Sequence, residues 1–419
     1  MFFDKIFRVL GTLIIGVWVA RYLGPERFGL LNYAIAFVAF FAFLPDLGLG
    51  QIIVRELKKN KDRQGALLGT AFWLKLIGGL LALLLISTIV FIAKPSDVRG
   101  GFIILVIAGG LLFQSLDVVD YFFQSRVLSK YVVISRDCAF LLTSLFKIFL
   151  ILSQFSVIWF AAAGALDLML AAFFLALTYR RRGFVLGDWR FERGLAVQLL
   201  KYSWPLMLSG FLISIHMRVD QVMLGHMLGN NAVGIYSVAV KLSEFWYFMP
   251  TLIVSSLMPY FIGLRETNVK LYNHQLNRLY SLMFWMGIAV GFIALAGGQF
   301  IIDLAFGTAY AESYQALIYN IWAGVFVAQA VTRGIWLISE NLQKYRLVNN
   351  LLAVLVNITG NIRLVPRYGI AGAAISTLVT QFLGTWVFGM LWKPLRHSTL
   401  NLMKSANPML ILQRSNTTA

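Results

Sequence analysis

One cysteine, Cys138, is the whole thiol content of this 419-residue chain. That excludes an internal disulfide and any cysteine-ligated metal cluster. The four histidines, His216, His226, His274 and His397, are scattered without metal-ligand spacing, so no metal centre and no cofactor is expected. Charge is scarce as well: Asp, Glu, Lys and Arg make up 13% of the chain, against about 25% in a soluble domain. No hydrophilic stretch is long enough to fold alone, and no paired-carboxylate motif marks a catalytic centre. The chain is expected not to be an enzyme.

What fills the chain instead is apolar. Hydrophobic residues reach 59% and the mean hydropathy is +0.76. Twelve candidate spans follow one another, at 6–23, 29–53, 67–93, 101–123, 131–152, 156–178, 202–225, 232–261, 279–305, 314–338, 345–364 and 369–392. Each approaches the roughly 20 residues that cross about 30 Å of hydrocarbon. The expected fold is all-α, integral to a membrane, with twelve transmembrane helices. Near the start, Asp4, Lys5 and Arg8 interrupt Phe2, Phe3, Ile6 and Phe7, so no cleavable secretory signal is expected.

A net charge of +18 raises nucleic acid as a partner, but the placement of the cations excludes it. With the N-terminus inside, 25 of the 36 Lys and Arg fall on the cytoplasmic side, among them Arg55, Lys58, Lys59, Lys61, Arg180, Arg181 and Arg182. Only six, Arg21, Arg27, Lys94, Arg99, Arg363 and Arg367, fall outside. The positive-inside rule then puts both termini in the cytoplasm.

The longest loop, YRRRGFVLGDWRFERG at 179–194, lies near the middle with six spans on either side. The expected division is an N-terminal six-helix lobe 1–178, a cytoplasmic basic linker 179–201, a C-terminal six-helix lobe 202–392 and a cytoplasmic tail 393–419. Internal repetition agrees with it. At a constant offset of 205, Leu23 pairs with Leu228, Gly24 with Gly229, Gly29 with Gly234, Ala34 with Ala239, Phe43 with Phe248 and Pro45 with Pro250. Two halves that enter the membrane in the same direction are related by a pseudo-two-fold axis along the membrane normal.

The segments RYLGPERFGLLNYAIAFVAFFAFLPDLGLGQIIVREL (21–57), VDQVMLGHMLGNNAVGIYSVAVKL (219–242) and NITGNIRLVPRYGIAGAAIST (357–377) resemble those of the Wzx-type polysaccharide flippases. These belong to the multidrug/oligosaccharidyl-lipid/polysaccharide exporter superfamily. The resemblance runs over about 390 residues. It implies a MATE-like bacterial inner-membrane protein of two six-helix lobes in a V. Such a protein moves undecaprenyl-pyrophosphate-linked oligosaccharide repeat units, for O-antigen or a similar glycan, from the cytoplasmic to the periplasmic leaflet. It also implies a polysaccharide polymerase and a chain-length regulator as partners. No site residue is carried over from the family.

Candidate residues come from the charges inside the spans. A Lys, Arg or Asp at mid-helix costs roughly 2.5–3.5 kcal/mol on the insertion scale, so it tends to face a partner or a watery cavity. SIHMRVDQVMLGHML (214–228) holds Arg218 on one face with Ser214 and Gln221, and Asp220 is expected to neutralise the outer end of that span. Ser237, Lys241 and Glu244 at i, i+4 and i+7 form a second polar stripe near mid-bilayer. Lys75 and Asp46 are the deepest charges of spans three and two, and Asp46 sits where Pro45, Gly48 and Gly50 can break a helix. Lys147 and Arg333 lie nearer span ends and can snorkel, as Asp117 and Asp120 can hydrate at an interface. The expected cationic, substrate-binding cavity is therefore Arg218, Lys241, Lys75, Lys147 and Arg333. Glu244, Asp46 and Asp220 are the candidates for ion coupling. Gly24, Pro25 and Gly29, like the glycines of MLGNNAVGIYSVA, read as tight turns, and the small residues of YGIAGAAIST as a close-packing face. Rival readings remain open: a multidrug exporter of organic cations, whose cavity should favour carboxylates, a membrane-embedded polysaccharide polymerase, and a peptidoglycan-precursor flippase.

Overall fold

Hydrocarbon offers no water to an unpaired N–H or C=O, so a chain this apolar must satisfy its backbone within each segment. The computed structural model obeys that rule. It describes residues 2–93 and 97–412, and among them there are helices and turns but no strand. Lys94 and Arg414 lie outside the described residues, as do the side chains of Lys5 and Lys61.

The helices are α1 (Phe2–Ala39), α2 (Phe43–Asp46), α3 (Gly50–Lys59), α4 (Gln64–Ala93), α5 (Val98–Gly109), α6 (Val118–Ser125), α7 (Lys130–Leu152), α8 (Val157–Arg181), α9 (Arg193–Met227), α10 (Asn230–Thr267), α11 (Val269–Ala305), α12 (Ser313–Ser339), α13 (Gln343–Phe382), α14 (Lys393–Lys404) and α15 (Met409–Leu412). A 3₁₀ turn, Gly110–Asp117, joins α5 to α6. Most of each expected span is helical, but the second, 29–53, is interrupted at 40–42 and again at 47–49. By length and apolarity, seven stretches of the described residues can cross a membrane, and the bent run from Arg8 to Lys59 makes an eighth. Leu84, Phe91 and Ile92 on α4 turn outward, where lipid rather than protein would cover them.

The chain divides into two compact units, residues 1–218 and 219–419, with the boundary inside α9. In the first unit the expected linker is not a free strand. Arg190 N donates to Gly65 O at 3.2 Å, Glu192 N to Thr70 Oγ1 at 3.0 Å, and Arg63 pairs with Glu192. Trp189 packs on Phe72 and Tyr179. A strap with aromatic anchors gains apolar burial, which a purely basic loop would not. In the second unit the expected tail forms α14 and α15, and the buried face of α14 is Leu395, Ser398, Thr399 and Leu402.

Two pairs from the repeat show how far it reaches. Gly24 (φ 70°, ψ 169°) breaks α1, and Gly229 (φ 85°, ψ −179°) precedes α10. Both occupy a backbone region that is essentially reserved for glycine, at equivalent places in the two copies. Pro45 and Pro250 diverge. After Pro45 the helix ends, with Leu47 and Gly48 left-handed, whereas α10 runs on through Pro250.

Replacing Gly229 by alanine should therefore destabilise the second unit by about 1–3 kcal/mol. Gly210→Ala, at an ordinary helical position with open space around its Cα, should be neutral or stabilising by up to ~1 kcal/mol. Thermal unfolding in detergent compares the two; equal midpoints would refute the strained turn.

Candidate functional site

The second unit gathers its polar groups around Asp220. α13 is bent at Gly369 (φ 59°, ψ −136°), which folds its two limbs together. Contact between the limbs is close: a Cβ on Gly360 would collide with Ser376, and one on Gly372 with the carbonyl of Leu364. The small residues do act as a packing face, but the packing also sets Asn361 and Thr377 on either side of one carboxylate. Asp220 Oδ1 accepts from Asn361 Nδ2 at 2.7 Å, and Oδ2 accepts from Tyr236 OH at 2.8 Å and from Thr377 Oγ1 at 2.5 Å. Asn361 also donates to Asn357, and Ser376 donates to the Asn357 carbonyl. Beside them Gln221 donates to Ser237 at 2.8 Å.

Asp220 is buried, and among the described residues none of the ion pairs includes it. It was expected to neutralise the outer end of its span. It is instead the hub joining α9, α10 and both limbs of α13, held by three neutral donors. Hydrogen bonds to an ionised acceptor are about twice as strong as neutral ones, and in a low dielectric such networks strengthen further.

The first unit builds a second cluster where helices break. The one-turn α2 ends at Asp46, and the run bends by 41° between α1 and α3. A Cβ on Gly78 of α4 would strike the carbonyl of Leu44, so glycine lets α4 touch the break. Pro45, Gly48 and Gly50 had pointed to this interruption. Asp46 is exposed, and its Oδ2 accepts from Gly48 N at 3.2 Å. Lys75, only 1% exposed, donates to Tyr121 OH at 3.4 Å, and Asp117 and Asp46 lie within its electrostatic reach. Arg136 reaches Asp120 at 2.8 Å and Asp117 at 3.3 Å.

Lys75 is therefore not an open cation for a ligand. Burial beside two carboxylates and a phenol makes its partner the protein itself, because a lysine lowered into hydrocarbon needs such company. The cluster holds three carboxylates, Asp46, Asp117 and Asp120, against Lys75 and Arg136. It is not the cationic wall expected in this half.

Arg333 likewise turns inward. It is 4% exposed and donates to Thr385 O at 3.3 Å and to Thr399 Oγ1 at 2.9 Å. α14, which covers it, lies in the segment expected as a cytoplasmic tail, and that cover is what prevents the expected snorkelling. Lys147 is half-buried opposite Asp167, which accepts from Thr143 at 2.9 Å. It faces a carboxylate rather than reaching for the outer interface. Arg218 in the first unit, and Lys241 and Glu244 in the second, stay half-exposed on their helices. The buried members of the two polar stripes, Gln221 and Ser237, bond one another.

Several of these residues escaped the sequence reading. Asp167 sits in the middle of span six, masked by the apolar run around it. Tyr236, Asn357, Asn361 and Thr377 carry no charge, and only the i, i+4 spacing of two asparagines in an apolar helix could have marked them. Tyr121 and Arg136 needed the fold to bring them to Lys75 and Asp120.

A family model described as Polysaccharide biosynthesis protein matches residues 6–265. The capsular polysaccharide biosynthesis protein CapF of Staphylococcus aureus is 21% identical over 401 residues, which are 91% of this chain and 95% of that protein. The probable flippase AglR of Haloferax volcanii is 27% identical over 179 residues, 40% of this chain and 36% of that protein's length. Among solved structures, the lipid II flippase MurJ in an inward closed conformation gives a TM-score of 0.77 at 14% identity, covering 96% of this chain and 86% of that one. An inward-facing multidrug resistance MATE family transporter gives 0.73 at 17% identity, with 95% and 96% covered. Such likeness establishes the fold, an all-α membrane architecture of the MATE type.

Removing the hub carboxylate tests the second unit. Asp220→Ala should leave Tyr236 and Thr377 without their shared acceptor and Asn361 with only its bond to Asn357, at roughly 1–3 kcal/mol for each buried group left unsatisfied. The predicted loss is about 3 kcal/mol or more, well beyond that of Lys241→Ala, whose side chain is half-exposed. Parallel thermal unfolding of both variants checks it, and an unchanged midpoint for Asp220→Ala would rule the network out.

Proposed function

The chain belongs to the polysaccharide biosynthesis protein family, and from that premise we propose that it is a flippase for lipid-linked oligosaccharides. Its substrate is an undecaprenyl-pyrophosphate-linked repeat unit, of O-antigen or a similar glycan, carried by alternating access from the cytoplasmic to the periplasmic leaflet of a bacterial inner membrane. A polymerase and a chain-length regulator consume the product on the far side. The relatives named as a flippase and as a capsular polysaccharide protein support the substrate class, and the MATE-type fold supports the mode of movement.

One observation carries the reading. Of the cations inside the spans, Lys75 and Arg333 are buried and Lys147 lies opposite Asp167, while Arg218 and Lys241, each with a contact of its own in the protein, are half-exposed and still present surface to a ligand. A cation in that position repays its insertion cost only in water or against an anion. A pyrophosphate is such an anion, and it is the part of the substrate that cannot cross hydrocarbon, whereas the polyprenyl chain stays in lipid. A half-exposed cation on either unit, Arg218 on the first or Lys241 on the second, lowers the transfer cost of the head group, and no covalent step is needed.

Two negative charges moving outward from an interior about 100 mV negative release roughly 4–5 kcal/mol, at about 2.3 kcal/mol per charge. A second source is ion exchange. Asp220, bonded only by neutral donors that link α9, α10 and α13, is the site at which gaining a proton or a monovalent cation would reset those helices. Asp46, exposed at the broken helix, and Glu244, half-exposed beside Lys241, are the other candidates.

The three carboxylates against two cations in the cluster around Lys75 favour one rival, an exporter of organic cations. Proteoliposomes separate the two. Flipping of a fluorescent lipid-linked oligosaccharide should fall about tenfold or more in Arg218→Ala and in Lys241→Ala, a loss of at least 1.4 kcal/mol. Wild-type rates in the double variant would sink the cationic path, and extrusion of an organic dye without glycan flipping would favour the rival. With the potential clamped at zero, Asp220→Asn should abolish any response to an imposed pH gradient; a response left intact would discard Asp220 as the coupling site.

A further inference from the structure

From Asn341 to Leu412 the sequence contains no Asp or Glu, and apart from Arg363 and Arg367 near the bend of α13 the basic residues of this stretch lie on α14 or at the start of α13. On that helix Lys393, Arg396, His397, Leu400 and Lys404 follow one another at i, i+3, i+4, i+7 and i+11, and all are exposed. The opposite face, Leu395, Ser398, Thr399 and Leu402, is buried in the second unit. Trp392, at the start of α14, packs on Tyr345 and donates to Asn349, which brings Lys344 and Arg346, both exposed, to the same patch.

The helix is fixed in place rather than tethered. Arg333 donates to Thr399, Gln329 to Ser405 and to the Leu402 carbonyl, and Ser281 to the Asn407 carbonyl. Those bonds also set its depth. Ser313 to Arg333 is twenty residues of α12, about 30 Å at 1.5 Å per residue, which is the thickness of the hydrocarbon core. Counted from the other end of α11, Ser281 lies at a similar distance from Ala305. The exposed face of α14 therefore sits at the boundary between hydrocarbon and head groups, on the side that carries most of the chain's basic residues. Leu400 is exposed among the cations of α14, as expected of a helix lying in the interface plane.

We infer that α14, with Lys344 and Arg346 beside it, is a binding surface for anionic phospholipid head groups of the basic-side leaflet. Its cations take the phosphates, Leu400 enters the acyl boundary, and the buried face ties lipid occupancy to Arg333 and α12. The assignment does not depend on what the protein transports.

The test places an environment-sensitive fluorophore at Leu400→Cys in a Cys138→Ser background. The full-length protein is reconstituted in phosphatidylcholine nanodiscs. These are doped with equal mole fractions of nitroxide-labelled phosphatidylglycerol or nitroxide-labelled phosphatidylcholine. Quenching by the anionic lipid should be at least about twofold stronger, and the difference should shrink at high salt. Lys393→Gln with Lys404→Gln should reduce the preference, and adding Arg396→Gln and His397→Gln should abolish it. Equal quenching by the two lipids overturns the inference. So does absence of quenching by either, which would place this face in water.

Discussion

Every polar group placed in hydrocarbon must bring its partner with it, and that constraint organises both units. Asp220 is the clearest case. A carboxylate at that depth survives because α10 supplies a phenol and the two limbs of α13 supply an amide and a hydroxyl. The bend at Gly369, the missing side chains at Gly360 and Gly372, and the identity of Thr377 all serve one requirement, that three donors converge on two oxygens. The same rule accounts for Lys75 with Tyr121 and for Arg136 with Asp120. In each place a charged residue determines which helices must touch.

The architecture was largely readable before any coordinates, because span length and backbone satisfaction are properties of single segments. Gly24 and Gly229 could be paired by spacing alone, and the break beside Asp46 announced itself through Pro45 and Gly48. The roles of the buried cations were less legible. Depth along a helix says how costly a charge is, but not in which direction its neighbours lie. Lys75 looked as deep as Arg218 and Lys241 on a linear count, and Arg333 looked close enough to a span end to snorkel. Only tertiary packing shows that Tyr121 and the neighbouring carboxylates claim Lys75, and that α14 covers Arg333. Neutral donors were harder still, since Asn357, Asn361 and Thr377 carry no charge to draw attention in an apolar run.

The two copies of the repeat have kept the turn and given up the polar chemistry. Gly24 and Gly229 hold the same backbone, because a tight connection between adjacent spans leaves few alternatives to glycine. Past that turn the copies differ at Pro45 and Pro250. The first breaks and exposes Asp46. The second, with Thr251 and Ile253 where the first has Asp46 and Gly48, stays helical through its proline. A broken helix frees backbone groups that must be met by water or by side chains, so an exposed carboxylate and a ring of charged neighbours belong with the break. A continuous helix has no such need, and its unit can place a single carboxylate among neutral donors.

That difference bears on how a transporter of this kind could divide its labour. A cluster with several charges of both signs is stiff to charge change, since gaining or losing one proton is absorbed by the remaining pairs. A lone carboxylate among neutral donors is sensitive, because one added positive charge changes the whole local field and inverts at least one hydrogen bond. Direction in transport requires one element whose preferred conformation depends on an ion and another whose surface accepts the substrate in either state. On the proposed function, Asp220 takes the first role and the half-exposed Arg218 and Lys241 the second. The charge-dense cluster around Lys75 and Arg136 has neither, because its cations are already held by the three carboxylates and the phenol around them.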